Sequence, residues 1–337
     1  MAHRNIPIFI PHMGCPHQCV FCNQRSISGC LEFDEAEVDK IIQKALSTVA
    51  KEDEIEIAFF GGSFTGIDRA LMIRLLDRAE RYVKEGSVGS IRLSTRPDYI
   101  SPEILEILSR YSVRHIELGL QSMDDTVLAS CKRGHTREQA MDACRAVVDA
   151  GFSLTGQMMI GLPNAIPESE AETAKIICDL GAESARIYPT VVFYHTPLAD
   201  MTQKGLYQPL SVQDAAERSA DALRVFLDRH VDVIRIGLCA TESLTSPEQV
   251  LAGPNHPALG ELVWNEYYYQ QIYEIIKQEG LFGKEVILTV PTGQISKVIG
   301  QKRSNLRKIF EKTQTTVVKV SESKDVDGIS LLPRQKL

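Results

Sequence analysis

The sequence predicts an α/β chain, a partial TIM-like (β/α)6 barrel followed by a small C-terminal α+β domain. Short apolar runs of strand length alternate about six times with stretches of helical periodicity, and no hairpin signal separates them. Such a pattern makes parallel strands joined by crossover helices. Cysteines, paired glycines and isolated polar residues fall just after the strand-like runs, on the face of a (β/α) barrel that carries active sites. The end of the chain breaks the repeat and changes charge. Between Lys284 and Lys319 there are eight Lys or Arg against two acids, so this segment is +6 while the rest of a chain of net charge −7 sums to −13. The organisation expected is a barrel over residues 1–240, a helical connector over 241–282 and a basic module over 283–337.

Each element follows from its local pattern. Residues 6–10 are a short apolar run closed by Pro11, a buried strand by length. Residues 34–49 carry Val38, Ile41, Ile42, Ala45, Leu46 and Val49 on one helical stripe. Residues 54–60 form the next strand, ending in Gly61-Gly62-Ser63. Asp68 is placed to cap a helix reaching Lys84. A strand at 90–95 leads to Arg96-Pro97-Asp98, and a helix at 102–109 has proline at its start. A strand at 113–120 precedes Gln121. Helices at 124–130 and 137–150 flank the loop from Lys132 to Thr136. The remaining pattern gives a strand at 154–160, a helix at 169–180, a strand at 184–188, a helix at 211–229 and a strand at 231–238. A helical stretch at 258–279 follows, and its run of tyrosines reads as packing rather than base stacking.

Cys15, Cys19 and Cys22 have the spacing C-x3-C-x2-C, with Phe21 before the last cysteine. Thiolates suit zinc, copper(I) and iron–sulfur clusters. A closed structural site takes four ligands, so three cysteines alone suggest an open coordination position. On a four-iron cluster, three thiolates hold three irons and leave the fourth open. Zinc is the rival, with His12 or His17 as fourth ligand. Cys30, Cys131, Cys144, Cys178 and Cys239 are scattered and read as ordinary thiols, Cys30 being the one nearest the triad in sequence. The chain is 44% hydrophobic and 24% charged, the profile of a globular protein. It has no apolar window of membrane-spanning length, and its N-terminus lacks the pattern of a signal peptide. Reduced thiols, no membrane association and a cytoplasmic location are expected.

The cysteine spacing resembles that of radical S-adenosylmethionine (SAM) enzymes. FFGGSFTG, STRPDYI, ELGLQS, KRGHT, MMIGLPN and RIYPTVV follow it in order, and HPALGELV comes later. Together they resemble the radical SAM domain of the Elongator catalytic subunit, which modifies the tRNA wobble uridine, and its small bacterial relatives. The resemblance implies a 4Fe–4S cluster on Cys15, Cys19 and Cys22. It implies SAM contacts from Gly61, Gly62 and Ser63, from Ser94 or Thr95 near the ribose, from Gln121, and from the backbone at Gly161. Lys132 or Arg133 is the expected partner of the SAM carboxylate. Ser63 stands where the family's GGE-like segment has glutamate. About eighty residues follow the barrel-like stretch, too few for the acetyltransferase domain of the Elongator subunit, so that half of the activity is not implied.

The basic tail resembles a KH RNA-binding module, in which a GxxG loop between two helices clamps a nucleic-acid backbone. Its β-α-loop-α-β order contains V-I-G-x-x-x-x-N-x-x-x-I. Gly300, Lys302, Arg303, Arg307 and Lys308 are the RNA-binding candidates, and Arg303 replaces the second glycine. The reading is a radical SAM enzyme that cleaves SAM reductively to a 5′-deoxyadenosyl radical and acts on RNA, with tRNA the species the resemblance implies. It needs a one-electron donor such as flavodoxin or ferredoxin. The alternatives are a small-molecule enzyme of the oxygen-independent coproporphyrinogen oxidase type and a non-enzymatic, zinc-dependent RNA-binding protein.

Overall fold

The computed structural model describes residues 3–15, 19–23, 32–50, 53–238, 248–326 and 328–334. Cys30, Cys239 and His17 lie outside them. Strands β1 (His3–Ile10), β2 (Glu54–Gly61), β3 (Ser90–Thr95), β4 (Val113–Gln121), β5 (Ser153–Ile160) and β6 (Ser184–Pro189) pair in sequence order and in parallel. A short strand β7 (Val192–Phe193) comes next, and β8 (Asp232–Ile236) completes the seven-stranded sheet beside β6. β1 and β8 are its two edges, so the barrel is partial rather than closed. β7 pairs antiparallel with β9 (Val250–Ala252) in a ribbon that the sequence reading missed.

Several of the crossover helices begin at a capping side chain. The crossover helices are α1 (Val38–Leu46), α2 (Arg69–Lys84), α3 (Pro102–Leu108), α4 (Asp125–Ser130), α5 (Arg137–Asp149) and α6 (Pro167–Asp179). Asp68 accepts from the Leu71 amide at 3.0 Å at the head of α2, and Thr136 with Gln139 forms a capping box on α5. The helix expected over 34–49 is shorter, because Asp34 caps a 3-10 turn (Glu35–Glu37) ahead of α1. A further helix, α7 (Pro197–Gln203), is capped by Thr196 with Pro197 at its first position, a signal present in the sequence. Helix α8 (Val212–Asp228) follows. No helix among the described residues is long and apolar enough to cross a membrane.

The inner face of the sheet is ionic. Glu56 on β2, Arg92 on β3, Glu117 on β4 and Arg186 on β6 occupy alternate, inward positions, and the first three are 4% exposed or less. Arg92 donates to Glu56 at 2.9 Å and to Glu117 at 3.3 Å, and Arg186 donates to Glu117 at 2.8 Å. Ser90, His115 and His3 also bond Glu56, at 2.6, 2.5 and 2.8 Å. Arg92 reaches Thr155 on β5 at 3.3 Å. Each buried charge therefore has an opposite partner, the condition under which burial is tolerated.

The chain divides into two compact units, Met1–Ser211 with Val225–Asn255, and Val212–Arg224 with His256–Leu337. In the second unit, α9 (Leu259–Gln278) precedes β10 (Glu285–Pro291), α10 (Ile295–Ile299), α11 (Ser304–Thr313), β11 (Thr316–Ser323) and β12 (Ser330–Pro333). β10 is central, parallel to β11 and antiparallel to β12. The order matches the expected β-α-loop-α-β, and β12 is an addition. Ile272 and Ile276 of α9 pack with Val286, Leu288, Val290, Val298 and Ile309 in one core.

The ionic lattice makes two expectations. Glu117→Gln leaves Arg92 and Arg186 without their shared carboxylate, so unfolding in urea is expected to show a loss of about 3–5 kcal/mol. Burial alone would raise the Glu56 carboxyl, but the His115 bond and the Arg92 charge outweigh it and hold it well below its ordinary value of 4.5. Below about pH 4.5 the unfolded chain takes up a proton that the native state refuses, so the stability contributed by Glu56 is lost as pH falls. Denaturation midpoints of the native chain and Glu56→Gln are expected to converge toward acid pH.

Candidate active site and basic loop

The cysteine loop leaves the C-terminal end of β1 and lies against the turn after β2. The Gly62 amide donates to the Ile10 carbonyl at 2.8 Å and the Ser63 amide to the Met13 carbonyl at 3.0 Å. The approach is close enough that only glycine fits. A Cβ on Gly62 would sit 1.9 Å from the Met13 oxygen, and one on Gly14, whose φ is +71°, would sit 2.3 Å from the Ser63 oxygen. Gly61 and Gly62 are the expected SAM contacts; the space a side chain on Gly62 would need is taken by the chain's own Met13. Ser63 remains at the site, its Oγ 3.5 Å from Cys15 Sγ.

Farther along, the Val20 amide bonds the Cys131 carbonyl at 3.1 Å, and the Leu198 amide bonds the Val20 carbonyl at 2.9 Å. Val20, Val127, Cys131, Leu162 and Leu198 share one apolar cluster. Cys19 is buried, and its Sγ accepts from Arg133 at 3.2 Å and from Arg96 at 3.6 Å. Arg96 also donates to the Asp98 carboxylate at 2.9 and 3.0 Å and to the Arg133 carbonyl, while Arg133 donates to the Gly119 carbonyl at 2.5 Å. Arg96 is 4% exposed. Two guanidinium groups thus point at one sulfur. Beside them, burial and then the Arg133 charge hold the His135 imidazole down at about 4, so it is neutral near pH 7. Cys131 and Cys144 are pushed up to about 12 by burial, and Cys178 to about 11. These three remain protonated thiols.

The other expected SAM contacts are distributed as follows. Gln121 closes β4 in a left-handed conformation (φ +68°), buried, with its Oε1 unpartnered among the described residues. Arg133 Nε is likewise unpartnered, while Lys132 is exposed. Thr95 is buried with its hydroxyl 2.7 Å from that of Thr65. Ser94, half-buried, lies by strand alternation on the face of Arg92. The Gly161 amide donates to Glu170 at 2.6 Å and its carbonyl accepts from Tyr207 at 2.5 Å, so both backbone groups have protein partners.

No group of three or more His, Cys, Asp or Glu side chains among the described residues is arranged to hold a metal ion. The residues nonetheless suit a thiolate-ligated cluster with a polar, zwitterionic ligand. Three thiols stand at the strand ends, guanidiniums face one of them, and the unpartnered Gln121 and Arg133 atoms offer an acceptor and a donor. Arg96 and the loop from Lys132 to Thr136 are expected just after strand ends; what the sequence does not show is that Arg96 meets both Cys19 and Asp98. The signal was Arg and His within loops that directly follow strands.

In the second unit, the loop between α10 and α11 turns through Gly300, Lys302 and Arg303, with φ of +73°, +50° and +61°. A Cβ on Gly300 would meet Ser304 Oγ at 2.4 Å. Arg303 thus adopts the left-handed geometry available to the glycine it replaces. Lys302, Arg303 and Arg307 are exposed. Lys308 is engaged elsewhere, bonding Glu266 at 2.8 Å with its Nζ 4.0 Å from the centre of the Tyr269 ring.

The chain matches the radical SAM superfamily over residues 9–177, the radical SAM C-terminal domain over 182–269 and the KH domain over 285–330. It is 28% identical to an uncharacterized protein of Methanocaldococcus jannaschii, covering 82% of this chain and 84% of that one. It is 28% identical to a tRNA uridine(34) acetyltransferase of Methanocaldococcus infernus, covering 49% of this chain and 35% of the relative. The solved structure of archaeal Methanocaldococcus infernus Elp3 with an N-terminal deletion superposes with a TM-score of 0.61 at 20% identity, over 83% of this chain and 64% of that one. That likeness speaks to the fold, and this chain spans much less than the whole of the acetyltransferase.

Gly62→Ala forces the Met13 carbonyl away and with it the cysteine loop. Iron bound per chain after anaerobic reconstitution is expected to fall well below that of the native protein, with circular dichroism unchanged. Equal iron content would show that the close packing of loop and turn does not set the thiols.

Proposed function

Because the chain belongs to the radical SAM superfamily, whose enzymes use a 4Fe–4S cluster and SAM, we propose that it modifies RNA, with tRNA as the substrate class. The observation that carries this reading is the pairing, in one chain, of a thiol triad at the strand ends with a KH module whose loop is basic. The tRNA named in the acetyltransferase relative supports the same class. Acetyl transfer is not part of the proposal, since the shared region is 35% of that protein.

Cys15, Cys19 and Cys22 would hold the cluster, and Gln121 and Arg133 would face SAM. The chemistry that cluster and SAM supply together is one-electron reductive cleavage to methionine and a 5′-deoxyadenosyl radical, which takes hydrogen from a substrate. The protein's part is electrostatic and steric. Arg96 and Arg133 hold Cys19 Sγ in place and offset its negative charge. Asp98 orients Arg96 through two bonds, and Arg96 in turn fixes the Arg133 backbone. The apolar cluster around Val20 shields the loop from water on its other side. In the KH module, exposed Lys302, Arg303 and Arg307 would contact phosphates.

With dithionite and SAM, the reconstituted protein is expected to release 5′-deoxyadenosine, and Cys19→Ala to abolish the release. A colourless protein carrying one zinc would sink the reading. Total tRNA from cells with and without the gene is expected to differ in one modified nucleoside by mass spectrometry; identical nucleoside profiles would remove tRNA as the substrate.

A further inference from the structure

We propose that the α9 face bearing Trp264, Tyr267 and Tyr268, with Lys297 of α10, is a stacking shelf for an unpaired RNA base beside the 300–303 loop. The inference rests on the RNA-directed reading above and adds a base-contacting site to a backbone-contacting one.

The apolar stripe of α9 outruns the core it serves. Ile272 and Ile276 are fully buried and Tyr268 packs against the edge of their cluster. Going toward the start of the helix at i−4 spacing, the stripe continues to Trp264, which is outside that cluster and half-buried. Three rings gather there. Trp264 and Tyr267 meet edge to face at 5.6 Å, Tyr267 and Tyr268 at 5.2 Å, and Trp264 and Tyr268 lie 5.9 Å apart at 30°. Lys297 Nζ is 5.0 Å from the centre of the indole. Partly exposed aromatics combined with a cation are the means by which proteins bind single-stranded nucleic acid.

The shelf is joined to the root of the loop. Asn305, buried at the head of α11, donates to the Asn265 carbonyl at 2.7 Å and to the Val298 carbonyl at 2.9 Å. A Cβ on Gly300 would lie 3.0 Å from Asn305 Oδ1. One side chain thus ties the residue after the indole to the segment before Gly300 and to the glycine itself. Exposed Lys302 and Arg303 follow directly. The occupant is an RNA segment with at least one unstacked base. Its phosphates match a segment of eight basic residues against two acids, a charge balance that does not suit a basic or uncharged peptide.

Trp264 is the chain's one tryptophan, so intrinsic fluorescence reads the shelf directly in the full chain. Titration with a short oligouridylate is expected to quench it, and titration with an abasic phosphodiester of equal length to leave it largely unchanged. Trp264→Leu is expected to weaken oligouridylate binding roughly 5- to 150-fold by anisotropy of a labelled oligomer, and Trp264→Phe to retain most of it. The double change Lys302→Glu with Arg303→Glu is expected to weaken binding of both oligomers. The quenching measurement uses the unaltered chain, so it decides the matter even where Trp264→Leu lowers the folded fraction. Oligouridylate binding with no change in fluorescence, lost only in the loop variant, would overturn the shelf and leave RNA recognition standing. Failure of the native chain to bind oligouridylate or tRNA would remove both. Quenching by an unrelated protein ligand but not by RNA would assign the rings to a protein partner and overturn the proposal.

Discussion

The carboxylates and guanidiniums on the inner face of the sheet are the constraint on which the rest depends. Parallel strands covered on both faces are normally near-continuous apolar runs. Here β2, β3, β4 and β6 each place a charge inward, and every charge meets its opposite on another strand. Sliding one strand by a single residue would turn its charge outward and strand the partner in a low-dielectric interior. An open sheet has no closure to set its register, and this lattice supplies that register across five strands. The strand ends, and hence the relative positions of Ser63, Arg96 and Gln121, inherit it.

What projects from those ends is built around two guanidinium groups. Cys19 sulfur faces two guanidiniums, one of them anchored by Asp98, whereas the thiols elsewhere in the core are kept neutral by burial. Cysteines of one chain are thus given different surroundings. In the KH module, a comparable exchange occurs in the backbone. Arg303 accepts a left-handed conformation costing about 1–2 kcal/mol for a non-glycine residue and places a cation where glycine offers none.

Much of this was legible in the sequence, and the parts that were not have physical reasons. Strand and helix order came through because period and capping are local: Asp68, Thr136 and Pro102 each mark an end by themselves. The cysteine spacing and the GGSF turn mark the segments that follow β1 and β2. The lattice was missed because Glu56, Arg92, Glu117 and Arg186 are far apart in sequence, and a charge reads as exposed until its partner is known. Their position in the middle of strands was the available clue. Gly62 shows a related limit. Glycine signals that something approaches closely, but not whether it is a ligand or the chain's own Met13. Lys308 counted toward the basic tail, yet its contacts with Glu266 and Tyr269 are tertiary and carry no local mark.

The surroundings of Cys19 are assembled from Val20, Arg96, Cys131, Arg133 and Leu198, residues separated by most of the barrel's length. Contacts of such long sequence separation form late, because loop closure precedes any reward. In a small zinc domain the metal gathers an unfolded chain around itself. In this chain the setting of Cys19, the second and most buried of the three clustered cysteines, is complete only with Leu198, Arg96 and Arg133 in place. A chain that ended before Leu198 would therefore present the same three cysteines without the contacts that fix Val20 beside Cys19.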